Sequence, residues 1–219
     1  MFLQEFGNIE SSTEYFLKYR IKNCANILDI GCAYGSLLNN LYNNGYKNLY
    51  GIDVNSGYIN KGKRMYPHLS KNMCLYDGKE IPYQDRFFDV VLMFDVIEHI
   101  PEIDDYIKEQ VYRVLKKGGV FIFQTPNKYI NIPWEVIHQR SLSAWMSYHI
   151  SLQTKDSLVN MLKNVGFSNV NVEKHTISTE HNKRKLRSRI GVLGDLLLIV
   201  FQSMPITFYP NLWGFAKKK

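Results

Sequence analysis

The stretch ILDIGCAYGS, residues 27–36, joins an apolar run to a glycine-rich turn and to the start of an amphipathic helix. That helix continues through Leu37, and a second apolar run, residues 49–52, ends at Asp53. A strand, a glycine-rich turn, a helix and a second strand ending in an acid form the nucleotide-binding β-α-β unit, in which the acid binds ribose hydroxyls. The order of these segments predicts an α/β fold.

The spacing of the small residues argues against a dinucleotide. A dinucleotide fingerprint reads G-x-G-x-x-G, whereas Gly31, Ala33 and Gly35 form the pattern G-x-A-x-G, with Ser36 in the last position. Asp29 precedes the first glycine by two residues and would repel a pyrophosphate, but it would attract a cation. S-adenosylmethionine (SAM) carries an ammonium and a sulfonium, so the pattern favours SAM over NAD. The alternative is an ordinary strand-turn-helix with an incidental acid.

Apolar runs and helix signals alternate along the rest of the chain. Residues 88–94 are nearly all apolar, as in a strand buried on both faces. Residues 101–116 predict a helix that opens with Pro101 and closes with two lysines and Gly118. The other patterns predict helices at 10–22, 36–43, 55–66 and 154–165, and strands at 26–31, 49–53, 71–76, 120–124, 168–175 and 208–216.

Four segments, in the family's order, resemble the class I SAM-dependent methyltransferases. They are residues 28–35, 51–53, 87–100, and 113–119 with 124–127. The chain is most similar to the group of ubiquinone-biosynthesis O-methyltransferases and small-molecule, sugar and lipid methyltransferases, although Ala33 stands where that family more often has glycine. The resemblance implies a Rossmann-like sheet of seven strands in the order 3-2-1-4-5-7-6, with strand 7 antiparallel and helices on both faces.

The resemblance also implies how the chain is divided. One methyltransferase domain is expected over residues 1–219, with a leading helix in 1–23 and a core in 24–175. Residues 128–150 are expected to form a lid over the acceptor, and residues 181–204 a basic and apolar helical insertion before the last strand. Aromatic faces in the lid suit a sugar, a phenol or a lipid-linked ring, or they pack on the sheet; the lid holds Tyr129, Trp134, Trp145, Met146 and Tyr148.

The resemblance implies ten residues that bind SAM, which the reaction would convert to S-adenosyl-L-homocysteine. In the family, the position of Asp29 contacts the methionine part, that of Asp53 both ribose hydroxyls, and that of Asp77 the adenine amino group. An Asp-Gly pair is also a strong turn signal, so residues 77–78 have a second interpretation. The full set is Asp29, Gly31, Ala33, Gly35, Asp53, Val54, Asp77, Gly78, Phe94 and Asp95, the last two under the methionine end.

Three histidines are candidates for a catalytic base. A hydroxyl acceptor has to lose its proton as the methyl arrives, and histidine suits that task near neutral pH. His99, His138 and His149 are the candidates. His149 lies in the expected lid, where a matching histidine is common in the family, and is our preferred base. The alternative is that His149 is a loop residue that packs under the lid.

A metal site is the alternative for Asp95, Glu98 and His99. At spacings i, i+3 and i+4 these side chains would share one face of a helix, if the helix has already begun there. Some relatives have Glu-x-x-Glu-His at this point plus a distal histidine, here His149, and bind a divalent cation that acidifies the acceptor hydroxyl. The same Glu-His pair occurs in metal-free relatives, so we predict no metal.

The net positive charge is confined to the end of the chain. Residues 1–180 contain 19 basic and 19 acidic side chains, whereas the last 39 residues contain eight basic ones and one acid. Residues 183–204 place a basic cluster beside an apolar stretch, a combination typical of peripheral contact with an anionic membrane. A dimer-forming helix and a cap over the acceptor are the alternatives.

These patterns predict an enzyme that methylates an oxygen of a small, sugar or lipid-linked acceptor. The alternatives are an RNA methyltransferase or RNA-binding protein that uses the basic segment, and a non-catalytic partner subunit. The N-terminus lacks the pattern of a signal peptide, and the three cysteines show no metal-binding spacing. We therefore expect a cytoplasmic protein, with peripheral membrane contact through residues 183–204.

Overall fold

Seven strands form one mixed sheet in the computed structural model, which describes residues 9–139, 141, 143, 146, 149–175 and 211–219. The strand order is β3-β2-β1-β4-β5-β7-β6, as predicted. The first five strands pair in parallel, and β7 runs antiparallel to both β5 and β6. The strands are β1 (Ile27–Ile30), β2 (Leu49–Asp53), β3 (Met73–Leu75), β4 (Phe88–Phe94), β5 (Leu115–Pro126), β6 (Phe167–His175) and β7 (Asn211–Lys218).

Helices connect the strands, and apolar clusters cover both faces of the sheet. Leu28 and Ile30 of β1 pack in one cluster, while Ile27, one residue away, packs in the other. This alternation is the expected geometry of a strand buried on both sides. The helices are α1 (Ile9–Leu17), α2 (Ser36–Asn43), α3 (Ser56–Met65), α4 (Ile103–Tyr106), α5 (Tyr112–Val114), α6 (Lys128–Gln139) and α7 (Lys155–Val165), with a π-helical segment (Ile107–Val111) between α4 and α5.

Local sequence signals set the ends of α7. The Thr154 hydroxyl accepts from the Ser157 N–H, and the Ser157 hydroxyl accepts from the Thr154 N–H, which completes a capping box. Gly166 ends the helix at φ 112°, in the left-handed region that favours glycine. The helix therefore begins and ends within a residue of the prediction.

The helix after Pro101 ends earlier than its sequence predicts. The prediction extended it to Lys116 and used Gly118 as its end, but α5 stops at Val114 and β5 begins at Leu115. Leu115 is fully buried and pairs with Phe88, and the register then jumps to Val90 against Val120. Burial of Leu115 in the core thus overrides the local stop signal, and residues 116–119 form the bulge that this pairing requires.

The leading helix is shorter than predicted. The leading helix ends at Leu17 rather than at residue 22, and Arg20 has a left-handed φ of 48°. The predicted insertion at 181–204 and the start of the last strand at 208–209 lie outside the described residues. Among the residues that are described, every helix is too short or too polar to span a bilayer.

One buried amide in β5 lacks a partner. Gln124 is 2% exposed, and its Nε2 donates to no group within the described part of the chain. A buried donor left unpaired costs about 1–3 kcal/mol. We expect Gln124→Met to raise the free energy of unfolding by about 1–2 kcal/mol in urea titrations. Gln110→Met is the matched control and should lower it, because Gln110 Oε1 accepts from the Ile81 N–H and from Arg113. A loss of stability in Gln124→Met would mean that Nε2 has a partner.

Candidate cofactor and catalytic site

A cavity of about 580 Å³ opens at the carboxyl ends of β1, β2 and β4. This is the edge at which open α/β sheets bind ligands, and the volume lies within the range of about 300–1,000 Å³ found for ligand pockets. Eight of the ten predicted cofactor residues line it: Asp29, Gly31, Ala33, Asp53, Val54, Gly78, Phe94 and Asp95. Gly35 and Asp77 are the two predicted cofactor residues that are not among its lining residues.

The glycine-rich turn has three residues in the left-handed region. Gly31, Ala33 and Gly35 have φ values of 75°, 46° and 81°. A Cβ on Gly31 would collide with the Val96 side chain, so that position requires glycine for space as well as for φ. Ala33 adopts a conformation that costs a non-glycine residue about 1–2 kcal/mol. The turn directs the Ala33 N–H to Asp53 Oδ2 at 2.9 Å, which offsets part of this cost.

Asp53 is held by the backbone on both of its oxygens. Its side chain is 7% exposed, and Oδ1 accepts from the Asn55 N–H at 2.8 Å while Oδ2 accepts from Ala33. A carboxylate has about four acceptor positions, so two backbone bonds leave capacity for a ligand's hydroxyl pair. The backbone thus orients Asp53 before any ligand arrives.

Asp29 lies in the cavity wall close to Asp53. It is 4% exposed, and burial together with the negative charge of Asp53 raises the pKa of Asp29 to about 8. A carboxyl group in this setting holds its proton at neutral pH until a cation approaches. The site can therefore accept a positively charged group beside Asp29 and hydroxyls beside Asp53.

The outer rim contains an exposed apolar residue and a tight turn. Val54 is 61% exposed at the end of β2 and faces the Gly78 backbone. Asp77 Oδ1 accepts from the N–H groups of Lys79 and Glu80, and these bonds lower the pKa of Asp77. The structure therefore contains the turn that the Asp-Gly pair indicated. A contact between Asp77 and adenine stays a prediction.

At its carboxyl end, next to the glycine-rich turn, β4 passes into a strained loop. Phe94 and Asp95 line the cavity, and Asp95 has a left-handed φ of 55°, with its N–H donating to the Gln124 carbonyl. A short 3₁₀ helix (Ile97–His99) follows. Because Asp95 precedes that helix, the helical face predicted for Asp95, Glu98 and His99 does not form.

Glu98, His99 and His149 come together beside this end of the cavity. One ligand atom from each lies within 4.8 Å of the others, and the two imidazole centroids are 5.4 Å apart. Glu98 is 1% exposed, accepts from the Thr125 hydroxyl at 2.9 Å, and has a pKa raised to about 8 by burial and by Asp95. His99 lines the cavity itself, so the cluster lies at the edge of the ligand space.

This cluster permits two kinds of chemistry. Either imidazole can take a proton near neutral pH. The two imidazoles together with the Glu98 carboxylate could hold a divalent cation if Glu98 lost its proton. Asp95, the fourth metal candidate from the sequence, is not part of the cluster. His138 lies on α6, and its side chain is outside the described part of the structure.

Some lining residues could not be found from motifs. Ile9 and Ser12 of α1 line the cavity, as does Tyr58 of α3. The signal available for α1 was the polar Ser12 on an apolar helix face, where it is 5% exposed. Asn131, which contacts His149, had no signal in the sequence.

Comparisons with known proteins identify the family of this chain. A family model described as a methyltransferase domain matches residues 2–172. The ubiquinone biosynthesis O-methyltransferase of Pelagibacter ubique is 35% identical over 106 residues, which are 47% of this chain and 42% of that protein. The fatty-acid O-methyltransferase of Mycolicibacterium smegmatis is 31% identical over 111 residues, which are 50% of this chain and 40% of that protein. The chain thus spans about two fifths of the length of these relatives.

A solved structure supports the fold. Phosphoethanolamine N-methyltransferase 2 of Haemonchus contortus, in complex with SAM, superposes with a TM-score of 0.69 at 18% identity, covering 95% of this chain and 52% of that one. The family match extends over most of the chain, and the sheet order and glycine-rich turn are those the resemblance implied. The chain therefore belongs to the class I SAM-dependent methyltransferase family.

Proposed function

We propose that this protein transfers the methyl group of SAM to an oxygen of a small, sugar or lipid-linked acceptor. One observation carries the proposal. A single cavity connects the buried carboxyls of Asp29 and Asp53 to His99, whose ring lies beside that of His149. The two carboxyl groups suit the binding of a cationic nucleoside, and the two histidines suit the removal of a proton from the acceptor.

The donor half of the cavity fits SAM. Asp53 would accept from both ribose hydroxyls, since two of its acceptor positions remain after the backbone bonds. Asp29 would face the positively charged methionine part, which compensates the burial of its carboxylate. Val54 and Gly78 offer an apolar edge and an open backbone for the adenine ring.

His149 is proposed to act as the general base. SAM supplies an electrophilic methyl group and leaves as S-adenosyl-L-homocysteine when the acceptor oxygen bonds to that methyl. The acceptor hydroxyl loses its proton in the same reaction, and His149 takes that proton. The cavity would hold the two reactants close together, which accounts for much of the acceleration in a displacement of this kind.

Exposed apolar side chains of the expected lid support an acceptor with an apolar part. Within the described residues, the exposed large apolar side chains include Tyr129 (74%), Met146 (54%) and Ile150 (50%), all from the expected lid. The relatives named above include enzymes for a fatty acid and for ubiquinone biosynthesis. For a lipid-linked acceptor we propose peripheral contact with an anionic membrane through residues 183–204.

Transfer of label from SAM would test this function. The full chain is incubated with methyl-labelled SAM and with cell extracts separated into lipid, glycan and RNA fractions. We expect label in the lipid or glycan fraction. Label in RNA, lost on removing residues 181–189, would support the RNA alternative. SAM binding with no transfer to any fraction would support a non-catalytic subunit.

The raised pKa of Asp29 predicts how SAM affinity changes with pH. Below about pH 8 Asp29 is mostly protonated, and only the ionised form attracts the cation. The apparent affinity for SAM should therefore rise about tenfold between pH 6.5 and 7.5 and level off above the pKa. Calorimetry at pH 7 in two buffers of different ionisation enthalpy should show the release of about one proton on binding.

Asp29→Asn provides the matched variant for this pH effect. Since the folded-state pKa of Asp29 lies above its unfolded value of 3.8, its contribution to stability falls as pH rises from about 4 to about 8. The variant should bind SAM weakly without proton release, and its melting temperature should exceed that of the wild type more at pH 8 than at pH 5. A variant that retained the pH dependence would exclude Asp29 as its source.

A further inference from the structure

His149 is oriented by a side-chain amide from another element. Its Nδ1 lies 3.0 Å from Oδ1 of Asn131 on α6, 18 residues earlier in the chain. An amide oxygen can only accept a hydrogen bond, so in the neutral ring the proton lies on Nδ1. The lone pair of the imidazole is then on Nε2. The contact therefore specifies the tautomer as well as the direction of the ring.

The surroundings of His149 hold the ring from a second side. His99 faces it, and the buried Glu98 lies within 4.8 Å by ligand atoms. The Ser151 N–H donates to the Glu98 carbonyl at 3.0 Å, which ties the chain just after His149 to the 3₁₀ helix. With the segment anchored there, the bond to Asn131 places Nδ1 of His149 on the side of α6.

We infer that Asn131 is a positioning residue for the reaction. It selects the Nδ1-protonated tautomer of His149, so that Nε2 is the nitrogen that takes the proton from the acceptor hydroxyl. The inference rests on the proposed function for its catalytic consequence, but the tautomer itself is a property of the ligand-free protein. A histidine in the other tautomer would present an N–H to the acceptor and could not remove its proton.

Nitrogen NMR of the full chain tests the tautomer directly. The protein is labelled with ¹⁵N-histidine, kept in EDTA at a pH where imidazole is neutral, and the His149 signals are assigned by their loss in His149→Gln. We expect Nδ1 to show the protonated nitrogen shift in the wild type. Asn131→Leu should move the proton to Nε2 or give a mixture, whereas Asn131→Asp, which still accepts, should restore it. Asn171→Leu, at an exposed position of β6, is the matched control and should change nothing.

Methyl-transfer rates with the extract fraction that accepts label test the catalytic consequence of the His149 tautomer. Asn131→Leu should lower kcat by about 10- to 100-fold with KM and SAM affinity unchanged, and Asn131→Asp should recover activity. Should Asn131→Leu fail to fold, Asn131→Ser replaces it, with a SAM-induced rise in melting temperature as the test of folding. A proton on Nε2 in the wild type, or a tautomer unaffected by losing the amide, would overturn the inference. Failure of methyl transfer with the tautomer intact would instead overturn the proposed function.

Discussion

Asp53→Asn is expected to weaken SAM binding by about 30- to 1,000-fold, which corresponds to roughly 2–4 kcal/mol for two charge-assisted hydrogen bonds. The asparagine has nearly the same shape, but its NH₂ cannot accept from Ala33 or from a ribose hydroxyl. It therefore removes ligand bonds and also releases the turn that carries Gly31. Titration calorimetry with SAM and with S-adenosyl-L-homocysteine would measure the change.

Asp89→Asn separates this loss of affinity from a loss of stability. Asp89 in β4 accepts from the Asn26 N–H and from Lys116, so it also holds a loop to a strand, but it is not among the residues that line the cavity. We expect Asp89→Asn to lower the melting temperature and to leave SAM affinity within about twofold. Equal effects of the two substitutions on SAM affinity would contradict the assignment of Asp53 to the ribose.

His149→Gln is expected to reduce kcat by about 10²- to 10⁴-fold with the SAM dissociation constant unchanged, as for the loss of a general base. The affinity should be retained because Asp29 and Asp53, the residues proposed to bind SAM, line the cavity, whereas His149 is not among its lining residues. Initial rates with the fraction that takes up label, together with calorimetry, measure the two effects separately.

Two further histidines make this experiment specific. His68 packs against the rings of Tyr42 and Tyr66, is not among the cavity-lining residues, and His68→Gln should leave the rate unchanged. His99→Gln tests the other candidate, and a larger loss there than at position 149 would transfer the role of base to His99. Activity abolished by EDTA and restored by a divalent cation would replace the general-base assignment with metal catalysis at the same cluster.

Local sequence patterns determined most of the secondary structure and the cavity residues at the ends of β1 and β2. The apolar run of β4, the cap and final glycine of α7, and the acid at the end of β2 depend on backbone preference and periodicity, which a short window of sequence contains. Gly31 and Asp53 could be predicted from the sequence for the same reason. Their spacing along the chain converts directly into their positions at the end of two adjacent parallel strands.

Other features depended on contacts between distant parts of the chain. Leu115 belongs to β5 rather than to the predicted helix. Its burial against Phe88 outweighs the lysines and glycine that predicted a later helix end. The contribution of α1 to the cavity depends on where the helix packs, and the pKa of Asp29 depends on burial and on a charge 24 residues away. Burial, helix packing and pKa all depend on distances in space between residues that are far apart in sequence. A local sequence pattern does not specify those distances.

The cluster of Glu98, His99 and His149 shows the same division. The sequence by itself determined that His99 follows β4 and that His149 follows β5, in the segment expected to form the lid. Only the tertiary structure brought the two rings to 5.4 Å, buried Glu98 beside them and placed Asn131 against Nδ1. The physical reason is that a hydrogen bond or a charge interaction acts over a few ångströms, and folding alone decides which distant residues come within that range.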